Sequence, residues 1–206
     1  MSRKKQDVYV AVDIEADGPL PGINSLLSLG AAAFVVPPEG TFDAAAHRTP
    51  IWTYEANMKP IPGGVEDSDT MEWWARQDPK VWAHVTADQR DPEDVMGEFA
   101  RALKDLPGDP VMWTYPSWDY MWVHWYLTRF TNKRSPFGLG CLDMKSYGFA
   151  VFDNITRFKT FAKKAMPKWM HEGTPKHTHQ ALDDAIGQGI QFVNLISWQR
   201  SRDLEG

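Results

Sequence analysis

One cysteine, Cys141, stands in 206 residues. No disulfide can close within the chain, and that suits a reducing compartment. No run reaches the roughly 18 apolar residues of a membrane span. The basic start Met1-Ser2-Arg3-Lys4-Lys5 leads into an apolar stretch that soon ends in Asp13 and Glu15. That stretch is too short and too acidic at its end for a signal peptide, so the expected location is the cytoplasm. Excess positive charge is also missing. The net charge of −5 excludes gripping nucleic acid by bulk charge, though a local basic patch could still serve. Internal repeats, low-complexity segments and interdomain linkers are absent. With 43% hydrophobic and 24% charged residues, the composition is that of a soluble globular protein. The length fits one domain over residues 1–206, with 1–6 and 201–206 expected as flexible tails.

What is present begins with a strand. Val8-Tyr9-Val10-Ala11-Val12 is apolar and partly β-branched, as a buried strand should be. It delivers two acids, Asp13 and Glu15, two positions apart and so on one face. Paired carboxylates repel unless a cation lies between them, and hard oxygen donors suit Mg²⁺ or Mn²⁺. A solvated acidic turn through Asp17-Gly18-Pro19 is the alternative. Leu26–Val36 and Ile51–Asn57 read as two further strands, giving a meander. Residues 67–85 read as two short helices split at Pro79, with Ser68 or Asp69 as the cap. A helix is expected over Pro92–Leu106, with Val95, Met96, Phe99 and Leu103 on one face. A short strand follows at Val111–Thr114, a helix after Ser117, an ambiguous segment at Leu142–Phe152, and a last helix from about Gln180 to Arg200. The order is an α/β layout with a mixed sheet.

Two later segments carry titratable groups. Asp119 opens the helix after the short strand, where an acid also complements the helix dipole. His177-Thr178-His179-Gln180-Ala181-Leu182-Asp183-Asp184-Ala185 enters the last helix. Thr178 can cap it, and Asp184, one turn in, can face back toward the loop holding His179. Asp183 complements the dipole, and Asp143 caps or braces a helix end.

Together, Asp13-x-Glu15, Asp119 and His179-x-Ala181-x-x-Asp184-Ala185 resemble the DEDDh family of 3′–5′ exonucleases, in motif order and spacing, over residues 7–198. Glu72-Trp73-Trp74-x-x-Gln77-x-Pro79 is similar to a stretch in a phage and bacterial subgroup that degrades DNA or RNA. The resemblance implies an α/β fold with a ribonuclease-H-like mixed central sheet flanked by helices. It implies two Mg²⁺ or Mn²⁺ ions per site. Asp13, Glu15 and Asp184 would hold the catalytic ion, Asp13 and Asp119 the second, and His179 would be the general base. His177 is the alternative base, or a substrate or loop contact. The pattern departs from many relatives in Pro116-Ser117-Trp118 before Asp119 and in Asp17, where Thr is common.

The implied activity is two-metal 3′–5′ hydrolysis of single-stranded nucleic acid to nucleoside 5′-monophosphates, RNA favoured and DNA the alternative. A catalytically silent nucleic-acid-binding module is the rival of another class. A homodimer stays open. Candidate substrate contacts are Asp17, Leu20, Ile23, Trp74 and His177, together with Lys163 and Lys164. The two lysines belong to a basic stretch, Arg157, Lys159, Lys163, Lys164, Lys168 and Lys176, interleaved with Phe158, Phe161 and Trp169. Cationic surface with stacking aromatics suits a single strand, while a solvated helix face over core aromatics is the plainer account.

Overall fold

A computed structural model of the chain describes residues 6–152 and 166–202. Among the described residues, five strands form one mixed sheet in the order β3-β2-β1-β4-β5. Strand β1 (Asp7–Ala16) sits at its centre. It pairs antiparallel with β2 (Leu26–Phe34) and parallel with β4 (Asp109–Thr114). Strand β3 (Trp52–Asn57) extends the meander antiparallel to β2. At the far edge β5 is only Leu142–Asp143, parallel to β4.

The period-2 alternation of β1 sorts its side chains into two cores. Val8, Val10, Val12 and Ile14 enter one with Val95, Phe99, Trp122 and Tyr126. Helices α3 (Pro92–Lys104) and α4 (Trp118–Thr131) cover that face. Ala11, with Tyr9 beside it, enters the other, against Ile190, Phe192 and Val193. Helix α6 (Ala181–Arg202) covers this second face, with α5 (Met144–Val151) packed near it. Each fully buried aliphatic side chain contributes about 1.5–3 kcal/mol. Asp13 and Glu15 continue the Tyr9–Ala11 face, so the core carries them under the start of α6.

The segment between β3 and α3 holds α1 (Ser68–Trp74) and α2 (Pro79–Val85), broken where Pro79 was expected to break it. The cap of α1 is Asp67, one residue before the expected Ser68 or Asp69; its carboxylate accepts from the Thr70 amide. Asp67 holds the extended conformation a cap needs. The ambiguous segment resolves into β5 and α5, with Asp143 capping α5 by accepting from the Ser146 amide.

Candidate active site

Four carboxylates converge where β1, α4 and α6 meet. Asp13 and Glu15 lie on one face of β1, and ligand oxygens of Asp13, Glu15 and Asp184 all fall within 4.8 Å of one another. Two glycines make that approach possible. Gly30 pairs with Asp13 across β1 and β2. A Cβ on Gly30 would lie 2.1 Å from the carbonyl carbon of Ala181, the first residue of α6. Further along the same helix, a Cβ on Gly189 would lie 2.0 Å from the Phe34 ring. The helix therefore rests directly on the strands, and its first turn brings Asp184 beside Asp13. Asp119, in the first turn of α4, is 4% exposed and completes the set from the β4 side.

Burial dominates the electrostatics. Asp13 is pushed well above its ordinary value by desolvation, then by the charge of Asp184, while a hydrogen bond from Gln188 opposes the shift. Glu15 is raised by desolvation and then by Asp13, Asp184 and Asp119. Asp119 is raised by desolvation and by Asp13. Hard oxygen donors held together against their own repulsion, with no lysine or arginine beside them among the described residues, fit a divalent cation such as Mg²⁺ or Mn²⁺.

The loop entering α6 folds back onto Asp184. The Thr178 amide donates to Oδ1 at 3.0 Å and the His179 amide to Oδ2 at 2.9 Å. His177 Nδ1 stands 2.7 Å from Oδ2. Thr178 Oγ1 accepts from the Gln180 amide at 3.3 Å, closing a turn just before the helix, which begins at Ala181, instead of capping the helix as expected. His179 takes the left-handed conformation, φ 58°, which few non-glycine residues adopt. That turn sets its ring edge-on to Trp73, ring centroids 5.0 Å apart, and 4.2 Å from the His177 ring.

Two cavities flank the acids. One of 310 Å³ is walled by Glu15, Pro19, Thr70, Trp73 and Trp118 among others. The second, 510 Å³, reaches from Asp13 and Asp184 past Tyr115 and Gln188 to His171 and Gln191.

The substrate contacts expected from the sequence fall into three groups. Leu20 and Ile23 are 49% and 57% exposed on the loop after β1. Asp17 is turned away from the other acids, and its carboxylate accepts from the Ser25 amide at 2.5 Å, closing that loop. Trp74 is buried and donates its indole N–H to the Ala16 carbonyl at 3.0 Å, so its neighbour Trp73 supplies the ring beside His179. Lys163 and Lys164, with Arg157, Phe158, Lys159 and Phe161, lie outside the described residues.

Gln188 is a participant the sequence did not flag. Its amide donates to Asp13 Oδ1 at 2.7 Å. Its spacing, four residues past Asp184 and so on the same helix face, was the available signal.

Residues 8–196 match the family described as the 3′–5′ exoribonuclease Rv2179c-like domain. The chain is 27% identical over 210 residues to the 3′–5′ DNA exonuclease Cap18 of Escherichia coli, covering 98% of this chain and 99% of that protein. Among solved structures it resembles the nuclease domain of 3′hExo, a DEDDh family member bound to rAMP, with TM-score 0.62 and 11% identity, over 93% of this chain and 92% of that one. It also resembles Pop2p of S. pombe in its Mg²⁺- and Mn²⁺-bound form, with TM-score 0.60 and 14% identity, over 92% and 82% of the two chains. These structural likenesses give the fold, the ribonuclease-H-like arrangement expected from the sequence.

Proposed function

The chain belongs to the Rv2179c-like 3′–5′ exoribonuclease domain family, and from that membership we propose that it removes nucleotides from the 3′ end of single-stranded RNA with two divalent ions in its site. The observation that carries the reading is the convergence of Asp13, Glu15 and Asp184 within 4.8 Å, with His179 tied to the same Asp184. Asp13, Glu15 and Asp184 would hold one ion, Asp13 and Asp119 the other. When bound, the pair lowers the pKa of water and offsets charge on the attacking and leaving oxygens.

The remaining work belongs to side chains of this chain. His179 takes the proton from the attacking water, since imidazole titrates near neutral pH. Trp73 holds the ring edge-on, and the His179 amide on Asp184 fixes the backbone beneath it. Gln188 orients Asp13. The 310 Å³ cavity takes the terminal nucleoside, with Trp73 and Trp118 offering aromatic faces and Leu20 and Ile23 bordering its loop. Stacking of this kind is worth about 1–3 kcal/mol per base and tolerates any base. The product is a nucleoside 5′-monophosphate. DNA is the second reading, because the relative matched along its whole length is named a DNA exonuclease.

The test uses 5′-labelled single strands of RNA and DNA with Mn²⁺ or Mg²⁺. The expected result is a ladder shrinking from the 3′ end, lost on chelation and in Asp13→Ala. His179→Ala should keep Mn²⁺ affinity, lose on the order of 10²–10⁴ in turnover, and recover part of it at higher pH. Shortening of DNA alone would select the second reading. Intact strands of both polymers, with no Mn²⁺ bound, would end the exonuclease reading.

A further inference from the structure

A second triad shares Asp184 with the first. His177, His179 and Asp184 each offer a ligand atom, and these atoms lie within 4.8 Å of one another. The two sets differ in chemistry. Asp13, Glu15 and Asp184 present oxygen only, which suits hard Mg²⁺ and Mn²⁺. The other set presents two imidazoles and one carboxylate, which suits Zn²⁺ and its borderline neighbours.

We propose that His177, His179 and Asp184 form a nitrogen-rich site for Zn²⁺, and that filling it switches the exonuclease off.

The geometry needs only small adjustment. Zn–N and Zn–O bonds of about 2.0–2.1 Å place tetrahedral ligands about 3.3 Å apart. His177 Nδ1 and Asp184 Oδ2 are at 2.7 Å and must open slightly; the widest pair must close. His177 has the freedom to adjust, its side chain being 53% exposed, while Asp184 is fixed at 4%. The amides of Thr178 and His179 already orient the Asp184 carboxylate toward the histidine loop. Hydrogen-bonded outer partners of that kind raise metal affinity. The fourth position is left to water.

Inhibition follows from the sharing. An ion in this site withdraws His179 from the attacking water and Asp184 from the oxygen triad together. Mg²⁺ cannot displace it by mass action easily, because for nitrogen donors Zn²⁺ outranks the earlier divalent ions. This consequence rests on the catalytic roles proposed for His179 and Asp184; the binding itself does not.

The experiment titrates Zn²⁺ into the metal-stripped full chain by calorimetry and measures strand shortening in excess Mg²⁺ as Zn²⁺ is added. Co²⁺ replaces Zn²⁺ in a parallel spectrum. The expected result is one Zn²⁺ bound, tetrahedral Co²⁺ absorption, and loss of activity at the same Zn²⁺ concentration. His177→Asn should weaken Zn²⁺ binding at least about tenfold, with the inhibitory concentration rising in parallel relative to that variant's own activity. Glu15→Gln should bind Zn²⁺ unchanged. Loss of Zn²⁺ in Glu15→Gln with retention in His177→Asn would place zinc among the acids and overturn the proposal. Histidine-dependent Zn²⁺ binding without inhibition would overturn its regulatory half. A chain that binds Zn²⁺ through His177 but shortens no strand in Mg²⁺ supports the site and fails the exonuclease reading.

Discussion

At the scale of single residues, the acids of β1 are held against their own preference. Asp13, Glu15 and Asp119 all have folded-state values above those of free carboxylates, first through burial and then through each other's charge. The sign of the linkage follows. Above the ordinary carboxylate range the unfolded chain has released protons that the folded chain still holds, so stability falls as pH rises from that range toward the raised values. A metal-free sample should therefore lose thermal stability as pH rises above about 5, beyond the ordinary carboxylate range. Asp13→Asn removes one charge, relieves Glu15 and Asp119, and keeps an oxygen for Gln188 to bond. In chelator at neutral pH it should melt higher than the unaltered chain, with the gap closing toward pH 5. In Mn²⁺ the order should invert, because only the unaltered chain gains binding energy. Equal melting curves in chelator across that range would mean that the three acids are solvated rather than desolvated.

At the scale of elements, the site depends on how close α6 comes to β2. Gly30 and Gly189 are two points of close approach, and any side chain at either would overlap its neighbour. Gly30→Ala meets backbone at Ala181, which has no rotamer by which to yield. It should cost about 1–3 kcal/mol in stability, the usual range for overpacking. It should also lift Asp184 from Asp13 and weaken Mn²⁺ binding. Gly189→Ala meets the Phe34 ring instead and should cost stability while leaving Mn²⁺ affinity closer to normal, since it lies more than one turn from Asp184. Calorimetry and thermal melts on both variants separate the two effects; equal loss of Mn²⁺ affinity would show that the whole helix shifts as a body.

The same elements show what the sequence made legible. The β1 acids could be placed on one face because strand periodicity is local. The meander and the break at Pro79 were readable for the same reason. Strand β5 was not, because two residues, Leu142 and Asp143, carry no period and exist as a strand only through pairing with β4. Trp73 and Trp74 are chemically identical neighbours; the phase of α1 decides that one faces His179 and the other bonds to Ala16. Asp17 and Asp13 are likewise the same residue type. A register shift between Glu15 and Ala16 and the loop closure through Ser25 turn Asp17 aside. Gly30 could be read as a gap in a strand, but not as the seat of a helix that begins far along the chain.

At the scale of the whole molecule, a chain of net charge −5 is proposed to hold a polyanion at its most acidic point. Four carboxylates at the reacting phosphate would repel it, so strand binding and metal binding must favour each other, and by reciprocity to the same extent. The remaining attraction falls to local cations, and Arg157 to Lys176 offers six of them against one acid, Glu172. The prediction uses His179→Ala, which should bind a strand without consuming it. A short labelled single strand should bind it in Mn²⁺ and at least about tenfold more weakly in chelator, a coupling within the usual range. Replacing Lys163 and Lys164 by alanine in that background should lower the slope of log affinity against log salt by roughly 0.7 for each phosphate that is no longer neutralised. The metal dependence should survive that replacement, because it arises at the acids and not at the lysines. A slope unchanged by the double replacement would return both lysines to solvent, and affinity indifferent to Mn²⁺ would place the strand away from Asp13, Glu15, Asp119 and Asp184.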